Sequence, residues 1–147
     1  MAIFSKLPFD KKQIEAAIAR LEQRSSAELR VYIERHLPKS QPSAIQYALS
    51  IFTQLAMTET QARNGVLIYI AYKDQQCAII GDEGIHQYVG EAFWQQQYVA
   101  MVEDFQQKRY TQGVINTIER IAQRLTLHFP IQPDDRNELD NEVIIND

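Results

Sequence analysis

The segment Arg63-Asn64-Gly65-Val66-Leu67-Ile68-Tyr69-Ile70-Ala71 decides the fold, together with Ala78-Ile79-Ile80-Gly81-Asp82-Glu83-Gly84-Ile85 just after it. The run Val66–Tyr72 is apolar at successive positions, as a strand covered on both faces must be. Lys73-Asp74-Gln75 is turn chemistry, so the second run, Gln76–Gly81, folds back as an antiparallel partner. The pair reads as a β-hairpin in a sheet centre, with a glycine-bracketed acidic loop at its open end.

Outward from the hairpin, Ala27–Arg35 alternates Leu29, Val31 and Ile33 with Glu28, Arg30, Tyr32 and Glu34. This predicts a strand with one buried face and one polar or half-covered face, away from the deep centre of the sheet. Pro38 and Pro42 end it. Ala44, Tyr47, Ala48, Ile51, Phe52 and Leu55 share one helical face and predict a helix over about 43–57. A crossover of that length joins parallel strands, so the strand at 27–35 and the one at 66–72 run the same way.

Before them, Asp10 is a natural N-cap, with Gln13 at the capping-box position and Phe9 placed to pack on Ile14. Ile14, Ala17, Ile18 and Leu21 then form a helical stripe that ends near Arg24-Ser25-Ser26. After the hairpin, Trp94, Tyr98, Met101, Val102 and Phe105 predict a helix over about 89–107. Val114, Ile115, Ile118, Ile121, Ala122 and Leu125 predict another over about 111–128, stopped by Pro130. The order is α-β-α-β-β-α-α. The expected fold class is α/β, a small mixed β-sheet sandwiched between helices.

The 147 residues suit one domain, over 1–130, followed by a tail at 131–147. That tail is polar and acidic and reads as mobile, apart from the apolar trio Val143-Ile144-Ile145. Of the net charge of −4, the last eighteen residues contribute −5. The remainder carries about +1, so nothing attracts a phosphate backbone and no nucleic-acid partner is expected. A single cysteine, Cys77, makes no internal disulfide, and it lies in an apolar run that suits buried packing in a reducing compartment. No signal-peptide pattern opens the chain, and its longest apolar run is about a third of a membrane span. A soluble, cytoplasmic protein without direct membrane insertion is the expectation.

The topology makes a geometric statement about chemistry. Two parallel strands start at one edge of the sheet, and the antiparallel third ends there. Glu28, Arg63, Asn64, Asp82 and Glu83, scattered in sequence, should converge at that edge. Carboxylates and an amide oxygen are hard ligands suited to Ca²⁺ or Mg²⁺, and Gly81 and Gly84 let the loop curl. Glu28, Asp82 and Glu83 are therefore the candidate metal ligands. The plainer reading also stands: Gly-Asp-Glu-Gly and Asn-Gly are turn sequences, and Arg63 or Arg30 would simply neutralise a carboxylate.

Other chemistries have less support. His36, His86 and His128 form no helical metal pair, although His86 follows the acidic loop and His128 suits a helix C-terminus. Ser25 and Ser26 read as capping or loop residues. Trp94 and Phe93 read as core. No G-x-S-x-G, Walker A or G-x-G-x-x-G pattern is present.

Several of these stretches taken together resemble the TPM domain family. They are Arg63-Asn64-Gly65-Val66-Leu67-Ile68-Tyr69, Ile80-Gly81-Asp82-Glu83-Gly84-Ile85, Ser26-Ala27-Glu28-Leu29-Arg30 and Phe93-Trp94. The likeness spans about residues 10–130. It implies an α/β sandwich and, in some members, divalent-cation binding and weak acid phosphatase activity. Relatives include thylakoid-lumen proteins of photosystem II repair. Asp82 and Glu28 match the family's acidic positions, and no serine, cysteine or histidine matches a nucleophile. Many bacterial members carry a signal peptide and a membrane helix, from which this chain departs. Others occur beside LemA-type membrane proteins, so the resemblance implies such a partner. The leading function is a binding or accessory module with a cation site at the sheet edge. The alternative is a metal-assisted phosphomonoesterase, and a third is a purely structural partner surface.

Overall fold

A computed structural model describes residues 7–131 and 143–146. Its elements are α1 (Lys11–Glu22), β1 (Glu28–Glu34), α2 (Ala44–Gln54), β2 (Gly65–Ala71), β3 (Gln76–Gly81), α3 (Glu83–Gln106), α4 (Tyr110–His128) and β4 (Val143–Asn146). The strand order is β3-β2-β1-β4. β1 runs parallel to β2 and to β4, and β3 runs antiparallel to β2. The mixed α/β sandwich is as the sequence pattern requires, with one strand more: the trio at 143–145 pairs with β1. Residues 132–142 and 147 of the acidic tail lie outside the described residues.

The period of two along each strand sorts the core into two layers. Val66, Ile68, Ile70, Leu29, Val31, Ile33, Cys77 and Ile79 turn to one face, against Ile14, Ile18 and Leu21 of α1, Phe93 and Met101 of α3, and Ile118 and Ile121 of α4. Leu67, Tyr69, Ala71, Ala78 and Ile80 turn to the other, under Ala48, Ile51 and Phe52 of α2. β2 is buried at every position, which is why it reads as an unbroken apolar run.

β1 differs from its sequence reading. It lies between β2 and β4, and six of its seven residues are buried. Its polar side chains remain inside because they are bonded there. The Tyr69 hydroxyl donates to Glu34 Oε2 at 2.6 Å, and the Asn146 amide donates to Glu34 Oε1 at 3.2 Å. Alternating polarity signals a solvated face only when the polar groups have no internal partners.

α3 starts at Glu83, six residues before the sequence pattern suggests. Asp82 has extended backbone and caps the helix, its carboxylate accepting the Glu83 N–H at 2.8 Å. The acidic segment is thus a strand-to-helix junction, not a free loop. Gly90, at φ 76°, interrupts the helix and resets the phase of its buried face. Only the stretch after the break has continuous periodicity, so the start reads late.

Two glycines make opposite demands. A Cβ on Gly84 would run into the backbone carbonyl oxygens of Ala62 and Arg63, whereas one on Gly90 would meet nothing within 4 Å. Gly84→Ala should cost on the order of 2–4 kcal/mol, by steric displacement of the α3 start. Gly90→Ala should cost about 1–2 kcal/mol, the penalty of a backbone conformation (φ 76°, ψ 173°) that is essentially reserved for glycine. Urea denaturation of the two variants checks the order; equal losses would contradict it.

Candidate functional site at the sheet rim

Gly65 organises the rim. Its Cα partner across the parallel pair is Glu28, and its carbonyl accepts the Asp82 N–H at 3.0 Å. Glu28 and Asp82 therefore flank the same residue from opposite sides, about 10 Å apart at two strand spacings. The expected convergence at one edge is present. Within that edge the acidic groups form two separate sets.

The first set is neutralised. Arg63 Nε donates to Asp82 Oδ2 at 2.7 Å and Nη2 donates to Oδ1 at 2.8 Å, a bidentate pair. Nη1 reaches Glu83 Oε1 at 3.2 Å. Arg63 has a positive φ of 51°, and its carbonyl accepts the Gly84 N–H at 2.9 Å. The chain is thus held so that the guanidinium spans the helix cap. Asp82 is 6% exposed, so its charge depends on that partner. Glu83 points outward with its side chain 75% exposed.

The second set is a pair of carboxyls. Glu22, in the last turn of α1, faces Glu28 at the start of β1. Burial, then repulsion from and hydrogen bonding with Glu28, push the Glu22 carboxyl up from 4.5 to about 8. The Leu29 amide and Arg30 pull the other way. Both carboxyl oxygens of Glu22 are nonetheless buried without a donor in hydrogen-bonding geometry. With its carboxyl raised to about 8, Glu22 is the member of the pair that favours the protonated form at neutral pH.

Asn64 adjoins this pair. Its carbonyl accepts the Glu28 N–H at 3.4 Å, and its side-chain amide donates to Ser26 Oγ at 3.4 Å. The residue is 1% exposed, and its Oδ1 meets no donor. A buried acceptor left in this state is costly, about 1–3 kcal/mol.

Of the residues singled out from sequence, Glu28, Arg63, Asn64, Asp82 and Glu83 all stand on this rim. Among the described residues no three acidic, histidine or cysteine side chains close around one point. Glu22 was not visible from sequence, because it lies off the apolar stripe of α1. One signal was available: a carboxylate in the last turn of a helix opposes the helix dipole and needs a reason to be there.

Other nucleophiles are committed elsewhere. The Ser25 hydroxyl lies 2.6 Å from the Phe129 carbonyl oxygen and 3.2 Å from that of Leu125. Burial raises the Cys77 thiol to about 12, which leaves it unreactive. His86 is exposed, and His128 stacks on Tyr88 with ring centroids 4.6 Å apart.

A family model of the TPM domain matches residues 5–124. The chain belongs to the TPM domain family. Among solved structures, this TPM domain is similar to the BA42 protein of the psychrophilic bacterium Bizionia argentinensis. The two share 32% identity over 99% of this chain and 100% of that one, with a TM-score of 0.86. It also shares its fold with the N-terminal domain of a P. gingivalis protein, at 18% identity, 82% and 78% coverage and a TM-score of 0.68. A third likeness is the N-terminal domain of the Corynebacterium glutamicum protein cg2496, at 11% identity, 90% and 76% coverage and a TM-score of 0.60. No curated protein matches the chain. Among the described residues no helix is long and apolar enough to cross a membrane.

The Glu22 shift has a thermodynamic consequence. Its folded-state value lies above its unfolded one, so the native state binds the extra proton between about 4.5 and 8. The stabilisation is complete below 4.5 and is lost as the pH rises through 8. Glu22→Gln should flatten that slope and, at pH 9, leave the TPM domain on the order of 1–2 kcal/mol more stable than wild type. Urea denaturation across pH 5–9 is the measurement; parallel curves for the two proteins would contradict the carboxyl pairing.

Proposed function

We propose that this TPM domain is a binding module that takes a divalent cation, Ca²⁺ or Mg²⁺, at the Glu22–Glu28–Asn64 end of the rim. The observation that carries the reading is the set of buried oxygens there. The Glu22 carboxyl and Asn64 Oδ1 are desolvated without donors, beside a second carboxylate. A hard cation is the partner such oxygens suit. Asp82 and Glu83 form the wall of the site and do not act as ligands in this reading, because Arg63 already binds both.

The three donors come from different elements: the end of α1, the start of β1 and the segment before β2. Binding would tie α1 to the sheet edge and stiffen the rim. The same chemistry would polarise a phosphoryl oxygen. Among the described residues the Ser25 hydroxyl and the buried Cys77 thiol are committed to structure, so binding is preferred to phosphomonoester hydrolysis. Cytoplasmic localisation and a protein partner accord with this module but rest on the sequence alone.

Titration with CaCl₂ and with MgCl₂ while recording ¹⁵N amide spectra tests the reading. The amides of Glu22, Glu28 and Asn64 should shift together. Glu22→Gln should weaken binding by about tenfold or more, as loss of a ligand does, and the exposed change Glu83→Gln should leave it within about twofold. Unchanged spectra, or shifts confined to the acidic residues after 131, would overturn it. Hydrolysis of a chromogenic phosphate ester should not exceed the buffer rate, and a rate abolished by Asp82→Ala would favour the enzyme instead.

A further inference from the structure

Among the described residues, β3 ends the sheet and has a neighbouring strand on its inner side only. The Asp82–Gly65 hydrogen bond sets which residues face that neighbour. With Leu67 opposite Ile80, Tyr69 opposite Ala78 and Ala71 opposite Gln76, those alternate residues bond to β2. Cys77, Ile79 and Gly81 therefore turn their backbone N–H and C=O groups to the outer edge.

Edge strands are normally blunted by charge, proline or a bulge. Gln76–Gly81 has no charged residue and no proline, and its ladder runs without interruption. A groove of about 290 Å³ follows this edge. One wall is the start of α2, with Ala44 and Ile45; the other is α3, with Glu91, Trp94 and Tyr98. Ile45 and Tyr98 are large apolar side chains left 54% and 36% exposed. The Trp94 ring stands against Gly81, and its buried indole N–H has no acceptor. Glu91 is exposed and makes no ion pair among the described residues.

We propose that this groove binds an extended peptide segment of a partner protein by strand addition to β3, with a lysine or arginine of the segment set against Glu91. Only an extended chain presents donors and acceptors at the spacing of Cys77 and Ile79. Apolar side chains on its two faces would cover Ile45 and Tyr98, and a carbonyl would supply the acceptor Trp94 lacks. A second copy of this domain also carries a strand edge. β3, however, lies recessed between α2 and α3, which admits a lone strand more readily than the edge of another sheet. The groove runs along the outer edge of β3 and is lined by none of the proposed cation ligands, so either site could fail without the other.

The test uses ¹⁵N-labelled protein and the peptide acetyl-Lys-Val-Thr-Val-Thr-Val-amide. In protein alone, the Cys77 and Ile79 amides should exchange with solvent about tenfold or more faster than those of Ala78 and Ile80. The peptide should shift and protect both amides, and a version N-methylated at the valines should not. Glu91→Lys should weaken the lysine-bearing peptide by about two- to fivefold. Cys77 and Ile79 amides already protected as well as their neighbours would overturn the proposal, as would peptide shifts away from the groove. Protection that grows with protein concentration, with sedimentation as a dimer, would assign the edge to a second copy and overturn the partner peptide.

Discussion

Chain direction at Gly65 is the constraint on which the rim depends. A parallel neighbour on one side and an antiparallel neighbour on the other bring the start of β1 and the end of β3 to the same residue. Reversing either strand would carry Glu28 or Asp82 to the far edge of the sheet. The α2 crossover forces the first direction, and the short turn at 73–75 forces the second. The meeting of distant acidic residues is thus a consequence of connectivity, and it needs no attraction between them.

Once gathered, the carboxylates are distinguished by their partners. Asp82 receives a bidentate guanidinium and two roles at once, ion pair and helix cap. Glu28 lies against a second carboxyl, that of Glu22. Two carboxyls buried side by side cannot readily hold both charges, so Glu22 keeps its proton. The rim therefore has one half built on Arg63, which fixes the start of α3, and another built on the Glu22–Glu28 carboxyl pair. The Arg63 half builds structure, and the other half is where the proposed cation would bind.

The sequence showed the element order, the hairpin and the gathering edge, because each follows from periodicity, turn residues and connection length. It did not show how the acids divide. Arg63 was read as a neutralising residue, but nothing local says that it takes Asp82 and leaves Glu28. Glu22 lies on a helix face that looks solvent-directed, and only the packing of the α1 end on β1 buries it. The early start of α3 was hidden for a related reason. Its first turn packs out of phase with the rest, across the break at Gly90. The interior position of β1 was hidden because Glu34 and Tyr32 look like surface residues until Tyr69 and Asn146 are placed beside them. In each case the missing knowledge was a contact between residues distant in the chain.

The division of the rim into a neutralised half and a protonated half is the central claim, and the Glu22 carboxyl reports on it directly. Its ¹³C carboxyl resonance, followed by NMR as a function of pH in the metal-free protein, should titrate with a midpoint near 8. A midpoint near the ordinary 4.5 would mean that Glu22 does not keep its proton beside Glu28, and the distinction between the two halves would be lost.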